Sequence, residues 1–220
     1  MGMEKTLNKK AIVYGAIKQR ILDGSLPPGY PINEMDLAKE LSVSKTPVRE
    51  ALRELEKEGL VENVPGRGSA VSTITFQDIR EIFEIREILE CGAAKRAALL
   101  CDKEEVRAKK RELEQSASQK QEGQPSTWGS DEDIHLYLIG VLNNQKLTQA
   151  YLRLLDHIIR IRNQFGNRFT QVRRQEIRAE HLEILDALLE GDPERAESAV
   201  QAHLRNAAAF LMGLILPTKG

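Results

Sequence analysis

Aromatic side chains and cysteines are scarce in this 220-residue chain: 5% of it is aromatic and two residues are cysteine. A small scaffold held by disulfides is therefore excluded, because such chains are dense in cysteine. No apolar run approaches the roughly 18 residues of a membrane-spanning helix, and the first twenty residues have no apolar core typical of a secretory signal. We therefore expect a cytoplasmic protein with no membrane segment, in which Cys91 and Cys101 are free thiols.

Net charge is also close to zero, with 32 Lys and Arg against 33 Asp and Glu. The overall electrostatic field therefore does not indicate a nucleic-acid partner. Hydrophobic residues make up 41% of the chain and charged residues 30%, which is enough apolar surface for a folded core. Leu, Ala and Ile carry most of the apolar content, which favours helices.

Residues 1–75 alternate short helical stretches with Gly and Pro. The pattern predicts three helices, with Asn33 and Ser44 as N-caps of the second and third. Two short strands are then predicted at 60–63 and 70–73, around the turn at 65–68. Three helices followed by a hairpin form a winged helix-turn-helix.

Residues 76–220 show almost unbroken helical periodicity, interrupted by a predicted loop at 121–129 and a corner at 191–193. The fold class is therefore mainly α: a winged helix-turn-helix over 1–75, then an all-α antiparallel bundle of six helices over 76–220. The predicted helices span 78–100, 103–120, 131–142, 146–166, 172–190 and 193–214.

The third helix has an apolar face and a basic one. Lys45, Arg49 and Arg53 recur every four residues, so they line one stripe that fits a major groove, with Thr46 beside them. A second interpretation stays open on these residues alone, namely a solvated charge stripe that nearby glutamates balance. Residues 1–75 hold 11 basic and 10 acidic side chains, so overall charge does not decide between the two.

Several ordered motifs together resemble the GntR family of bacterial transcription regulators. They are IKQRILDGSLPPG at 17–29, EMDLA at 34–38, VSKTPVREALR at 43–53, GLV at 59–61 and the glycine-flanked wing at 66–68. The resemblance implies that a double-stranded DNA operator is the partner. It also implies that Lys45, Thr46 and Arg49 face bases or phosphates, while Gly66, Arg67 and Gly68 enter the minor groove.

Three of the four histidines lie on apolar helix faces of the second half: His135, His181 and His203. Asp131 precedes His135 by one helical turn and therefore points the same way. Burying these polar groups is costly unless they are paired or coordinate something, and the donor set suits Zn²⁺, Ni²⁺ or Mn²⁺. The alternative is that each is an ordinary hydrogen-bonded core histidine.

The D-x-x-x-H motif at 131–135, EHLEILDA at 180–187 and the late HL at 203–204 resemble the FCD ligand-binding domain of the FadR subfamily of GntR regulators. The resemblance implies that Asp131, His135, His181 and His203 are metal ligands. Six predicted helices resemble the VanR-type branch. Arg86 lies on the apolar stripe of the first long helix. It either meets the carboxylate of a small organic-acid effector or pairs with Glu90 four residues later.

We predict a homodimeric, ligand-responsive transcription regulator, a repressor, that binds a pseudo-palindromic operator and is not an enzyme. Two alternatives remain at this point. A metal-dependent hydrolase would turn over a substrate at the Asp/His cluster. A dedicated metal sensor would respond to the ion itself.

Overall fold

A computed structural model of the chain describes the backbone of residues 2–116 and 129–215, and the side chains of 9–115 and 134–215. Within these residues the mainly α fold class is confirmed. The elements in chain order are α1 Gly2–Leu22, α2 Glu34–Glu40, α3 Lys45–Lys57, β1 Val61–Val64, β2 Gly68–Val71, α4 Phe76–Leu100, α5 Lys103–Ser116, α6 Gly129–Val141, α7 Gln145–Phe165, a 3₁₀ turn Gly166–Arg168, α8 Gln171–Glu190 and α9 Pro193–Ile215. The predicted end of a helix at 120 and most of the predicted loop at 121–129 fall on 117–128, outside the described residues; Gly129 itself begins α6.

The chain divides into two compact units, Met1–Thr75 with Leu155–Asn167, and Phe76–Leu154 with Arg168–Gly220. We call them the N-terminal and C-terminal units. In the N-terminal unit, α1 packs on α3 and together they bury a core of branched aliphatic side chains. Its fully or nearly fully buried members include Val13, Ile17, Val48, Ala51, Leu52, Leu55 and Leu60.

The hairpin β1–β2 is antiparallel, with Val61 opposite Val71 and Val64 opposite Gly68. Both strands differ from the prediction by a residue or two. A third segment extends this small sheet, because Pro31 pairs with Ala70 and the Ile32 N–H donates to the Ser69 carbonyl at 2.8 Å. The wing is thereby tied to the loop that precedes α2.

The two predicted helix caps differ in outcome. The Asn33 side chain accepts hydrogen bonds from the Met35 and Asp36 amides, as predicted. Ser44 occupies the N-cap position of α3 but makes no side-chain capping bond. Pro47 stands at the third helical position, where an N-cap side chain usually finds a donor, and proline has no N–H. Pro47 therefore favours the start of the helix but removes one of the two backbone N–H groups to which an N-cap side chain usually bonds.

The C-terminal unit is built on α4, which packs along α9 and also contacts α6 and α8. Helices α5 and α9 both pack on α8. Small residues on α4, among them Ala93, Ala94 and Ala97, are buried and let the helices approach closely. Helix α8 ends at Gly191, whose φ of 74° terminates the helix before the Asp192-Pro193 corner.

Helix α7 contributes residues to both units, because the division falls after Leu154. Within the N-terminal unit, its second half is held by two polar contacts. Lys18 Nζ lies 2.6 Å from Asp156 Oδ2, and Arg160 Nη2 donates to the Ser72 carbonyl at 2.6 Å. Among the described residues, none of the helices combines the length and the apolar character that crossing a bilayer requires.

Candidate functional site

The exposed side of α3 carries four of the predicted DNA-contacting residues. The opposite side of the helix is buried through Val48, Ala51, Leu52 and Leu55, which fixes the rotation of α3 about its axis. The exposed side chains are Lys45, Thr46, Arg49 and Arg53. The structure therefore places all four at the surface, the first two in the opening turn.

Arg49 forms an ion pair with Glu34 of α2, with Nε 2.7 Å from Oε2. The two side chains are 58% and 33% exposed, so water screens the pair and it contributes little to stability. A phosphate or a base edge can displace such a contact at small cost. Before DNA binds, the ion pair with Glu34 holds the Arg49 guanidinium on the side of α3 that faces α2.

The wing turn depends on glycine at two positions. Gly66 and Gly68 have φ angles of 74° and 83°, a region that strains residues with a Cβ. Between them Arg67 is exposed, and its N–H donates to the Val64 carbonyl at 2.9 Å. The predicted wing residues Gly66, Arg67 and Gly68 thus form one exposed tip with a single cationic side chain.

In the C-terminal unit, α6, α8 and α9 bring His135, His181 and His203 together. All three are buried, and one ring nitrogen from each lies within 4.8 Å of the other two. The ring centroids of His181 and His203 are 4.5 Å apart, and those of His135 and His203 are 5.0 Å apart. The fourth predicted ligand, Asp131, belongs to α6, but its side chain lies outside the described residues.

A buried carboxylate stands behind His135. Nδ1 of His135 lies 2.5 Å from Oε2 of Glu90, which is completely buried on α4, although the pair is not aligned as a linear hydrogen bond. The other oxygen, Oε1, accepts from Arg86 Nε at 2.7 Å and from the Tyr151 hydroxyl at 2.8 Å. Arg86 is therefore paired with Glu90, which was one of the two roles predicted for it.

A second carboxylate stands behind His203 in the same way. Nδ1 of His203 is hydrogen-bonded to Oε2 of Glu180 at 2.8 Å. Oε1 of Glu180 accepts from Arg173 Nη1 and from Asn206 Nδ2, each at 2.9 Å. Arg173 also reaches Oε2 with Nη2 at 3.3 Å, which gives a two-pronged contact.

These contacts set the charge state of the cluster. Burial alone would raise the pKa of both glutamates, but the cations and hydrogen-bond donors around them outweigh it. The pKa of Glu90 is held well below its ordinary value by Arg86 and His135, and hydrogen bonds from His203, Arg173 and Asn206 lower that of Glu180 to about 2. Burial lowers the pKa of His135, although Glu90 opposes the shift. At neutral pH the glutamates are ionised and His135 is neutral, the form in which imidazole binds a metal.

The donor set fits a divalent transition metal. Metal–nitrogen bonds of about 2.1 Å place neighbouring ligand nitrogens about 3.0–3.4 Å apart in an octahedral or tetrahedral shell, so the three nitrogens, which lie within 4.8 Å of one another, would move closer together around an ion. Two of the three imidazoles already contact carboxylates through Nδ1, an arrangement common behind metal-bound histidines. The residues that would hold the ion are His135, His181 and His203, with Asp131 as the predicted fourth.

Sequence reasoning named Glu90 only as a partner of Arg86, and it missed Tyr151, Arg173 and Glu180 as residues that surround the histidine network. On α4 the buried stripe that contains Arg86 continues to Glu90, whereas the neighbouring Leu89 is half-buried. The spacing of Ile79, Phe83, Arg86 and Glu90 carried that signal, because the helical period of the stripe continues to position 90.

Comparison with known proteins decides the family. Residues 9–71 match the family of bacterial regulatory proteins named gntR, and residues 81–206 match the FCD domain. The chain belongs to the GntR family and carries an FCD domain. A probable D-xylose utilization operon transcriptional repressor of Paenarthrobacter nicotinovorans is 32% identical to this regulator over 200 residues, 89% of this chain and 84% of that protein. The uncharacterized HTH-type transcriptional regulator YdhC of Bacillus subtilis is 31% identical, over 88% of this chain and 86% of its own.

The fold of the regulator also matches solved structures. McbR/YncC of Escherichia coli has a TM-score of 0.73 at 21% identity, over 94% of this chain and 99% of that one. The predicted resemblance is therefore confirmed, and six α-helices between residues 76 and 215 of the described chain are consistent with the VanR-type branch. A regulator of this family binds DNA through its helix-turn-helix, which makes α3 and the wing the candidate nucleic-acid interface.

Proposed function

We propose that this GntR-family regulator is a homodimeric repressor whose operator affinity responds to a small carboxylate bound at a metal site in the C-terminal unit. The observation that carries the proposal is the convergence of three buried histidine nitrogens within 4.8 Å. A bound divalent ion would supply coordination positions for the carboxylate of the effector. Zn²⁺ and Ni²⁺ suit the histidines best, and Mn²⁺ also accepts such ligands.

Arg86 is the proposed second contact of the effector. Its Nε donates to Glu90 at 2.7 Å, so a carboxylate of the effector would share the guanidinium with Glu90 or compete with it. Glu90, to which Arg86 donates, has its other oxygen 2.5 Å from Nδ1 of His135, so one carboxylate separates the cation from the cluster. A second carboxylate group on the effector would therefore meet a cation as well as the metal.

The proposed dimer interface uses the outward face of α4. Ile85, Ile88 and Leu99 are 46%, 75% and 70% exposed, and the helical period places all three on one side of the helix. An apolar face of this kind is typical of a surface that another molecule covers. A second copy of the chain fits best, because helix-turn-helix regulators read paired half-sites with matching two-fold symmetry.

Helix α7 offers a route by which the effector would alter DNA binding. It contributes Tyr151 to the network around Glu90, and about one and a half and two and a half turns later it contributes Asp156 and Arg160 to contacts within the N-terminal unit. An effector that displaced Tyr151 would thereby act on the helix that also carries Asp156 and Arg160. Coupling free energies between such sites are typically 1–3 kcal/mol.

The deciding experiment uses a His181→Ala/His203→Ala double variant of the full chain. Operator sequences are first selected from a random DNA library with the wild-type protein. Bound metal, affinity for a panel of small carboxylates from acetate to citrate, and operator affinity are then measured together. We expect the double variant to lose metal and the carboxylate response while it largely retains operator binding, since the N-terminal unit is unchanged.

A His157→Ala variant is the matched control, because His157 belongs to the N-terminal unit and lies outside the cluster. It should keep the metal and the affinity for carboxylates. A double variant with full carboxylate response and no metal would contradict the proposal. A response to Zn²⁺ alone, with no carboxylate effect, would instead identify a dedicated metal sensor.

A further inference from the structure

The surroundings of His135 and His203 repeat one arrangement. Each histidine contacts Oε2 of a glutamate through Nδ1, and in each glutamate Oε1 is occupied by an arginine and one neutral donor. For Glu90 these donors are Arg86 and Tyr151, and for Glu180 they are Arg173 and Asn206. The two sets lie on different helices and share no residue, so the repetition does not follow from one local packing accident.

We propose that Glu90 and Glu180 are positioning residues of the metal site, which fix His135 and His203 in the tautomer that carries its proton on Nδ1 and its lone pair on Nε2. The proposal rests on the proposed function in that the ligand presented by Nε2 is a divalent metal. It adds which atom each ring offers and which residues select it.

At His203 the physical reason is the direction of the hydrogen bond, because an ionised carboxylate has no proton to donate and the hydrogen must sit on Nδ1. At His135 the contact is not a linear hydrogen bond, but Nδ1 lies 2.5 Å from Oε2 of Glu90. Two lone pairs that close would repel each other, so the hydrogen belongs on Nδ1 there as well. Nε2 is then left with its lone pair, which is the atom a metal needs. A carboxylate behind the ring also increases the basicity of the ligand nitrogen and holds the ring in one orientation.

The arginines complete this device by keeping the glutamates as acceptors. Arg86 and Arg173 are each about 5% exposed, so they neutralise the two carboxylates inside the protein rather than at its surface. At Glu90 the arginine and its neutral partner both hold Oε1, and the other oxygen faces the histidine. At Glu180 two such donors also hold Oε1, and Arg173 makes a longer contact of 3.3 Å with Oε2 beside the bond to His203. Glutamine at position 180 would keep two donors on its amide oxygen and turn its NH₂ to the ring, which reverses the bond to Nδ1 and removes the 3.3 Å contact.

The test is nitrogen NMR of the full chain, labelled with ¹⁵N in its histidine rings and stripped of metal. With four histidines in the chain, single replacements such as His157→Gln assign every signal. At a pH where the rings are neutral, we expect His135 and His203 to be protonated on Nδ1. Finding both rings protonated on Nε2 in the wild type would overturn the proposal, and this reading needs no variant of the glutamates.

Two isosteric variants sharpen the test. In Glu180→Gln we expect His203 to change to the Nε2-protonated form and the affinity for Zn²⁺ to fall about 10–100-fold. Glu183→Gln is the matched control, since Glu183 is on the same helix but exposed and paired with Arg195; it should change neither. A merely structural role for Glu180 would lower stability without moving the tautomer of His203, and that result would refute the assignment.

The outcome is separable from that of the proposed function. Nδ1-protonated rings in a protein that fails to bind Zn²⁺ would leave the positioning role intact and remove the metal site. If Glu180→Gln bound Zn²⁺ with wild-type affinity, the metal site would stand and the positioning role of Glu180 would be refuted.

Discussion

Removal of the Arg86 guanidinium should destabilise the C-terminal unit in a strongly pH-dependent way. Glu90 is completely inaccessible to solvent, and Arg86 Nε lies 2.7 Å from its Oε1. Arg86→Met keeps most of the volume of the side chain but leaves the carboxylate without its cation. Tyr151 and His135 still contact Glu90, yet neither supplies a full positive charge at neutral pH.

The size of the effect depends on whether Glu90 stays ionised without its cation or takes up a proton. Breaking a buried ion pair by removal of one partner typically costs about 3–5 kcal/mol. The carboxyl group can avoid part of this cost by taking up a proton. From an ordinary pKa of 4.5, protonation at pH 7 costs about 3.4 kcal/mol, which sets the ceiling on the charge contribution. At pH 5 the same step costs less than about 1 kcal/mol.

The sign of the pH dependence is therefore fixed. In the variant the pKa of Glu90 in the folded state lies above its unfolded value, so the protonated form favours folding and stability is lost as pH rises. We expect Arg86→Met to be less stable than the wild type by about 3 kcal/mol at pH 7, and this difference should shrink steadily towards pH 5. In the wild type, by contrast, the pKa of Glu90 is lowered.

Urea unfolding of metal-free protein at several pH values measures the difference, and hydrogen exchange in peptides of α4 assigns it to the C-terminal unit. Arg80→Met is the matched control, because Arg80 pairs with Glu84 at the same spacing on the same helix but both are more than half exposed. That surface pair should contribute less than about 0.5 kcal/mol. A loss below about 1 kcal/mol in Arg86→Met at pH 7, or one that does not change with pH, would refute the reasoning.

Two further predictions concern DNA and assembly. Arg49→Ala should weaken binding to the selected operator by about 1–3 kcal/mol in gel-shift titrations if Arg49 reads a base, whereas an unchanged affinity would remove Arg49 from the interface. Sedimentation at micromolar concentration should give a dimer of the 24.8 kDa chain, and Ile88→Lys, at a position 75% exposed, should shift it to monomer with unchanged helix content. A wild-type monomer would contradict the proposed use of α4.

Much of the fold was predictable because its signals are local. Apolar spacing, glycine and proline located the α-helices that the structure describes over 76–116 and 129–215 to within a few residues, and Asn33 caps α2 as its side chain suggested. The outcome is mixed where two local signals compete: Ser44 is the N-cap residue of α3, as predicted, but its side chain makes no capping bond. Ser44 is a good N-cap residue and Pro47 a good residue for the first turn, but the proline lacks the N–H that the serine would bond.

The histidine cluster was predictable from periodicity, since each histidine lies on the buried side of its helix. Their carboxylate partners were not, because those contacts join residues from different helices. Glu180 adjoins His181 in sequence, but a helix turns about 100° between neighbours. Glu180 therefore meets His203 of α9 instead of the ring beside it in the chain. Nothing in the local pattern of α8 identifies which distant histidine a glutamate will reach.

From the sequence alone, the buried polar groups of the C-terminal unit look unfavourable, because burying a charge costs desolvation free energy. Their contacts in the folded chain offset much of that cost. Arg86 and Glu90 occupy the same stripe as Ile79 and Phe83, where two apolar residues would pack with less desolvation. Their presence there is inexpensive only because each charge meets its opposite and Oε1 receives a second donor from Tyr151. A core that carries such pairs gains a defined orientation for His135 that aliphatic packing cannot provide, since aliphatic contacts have no direction. The polarity of the stripe is thus better accounted for by what it does to the histidine than by any contribution of the ion pair to stability.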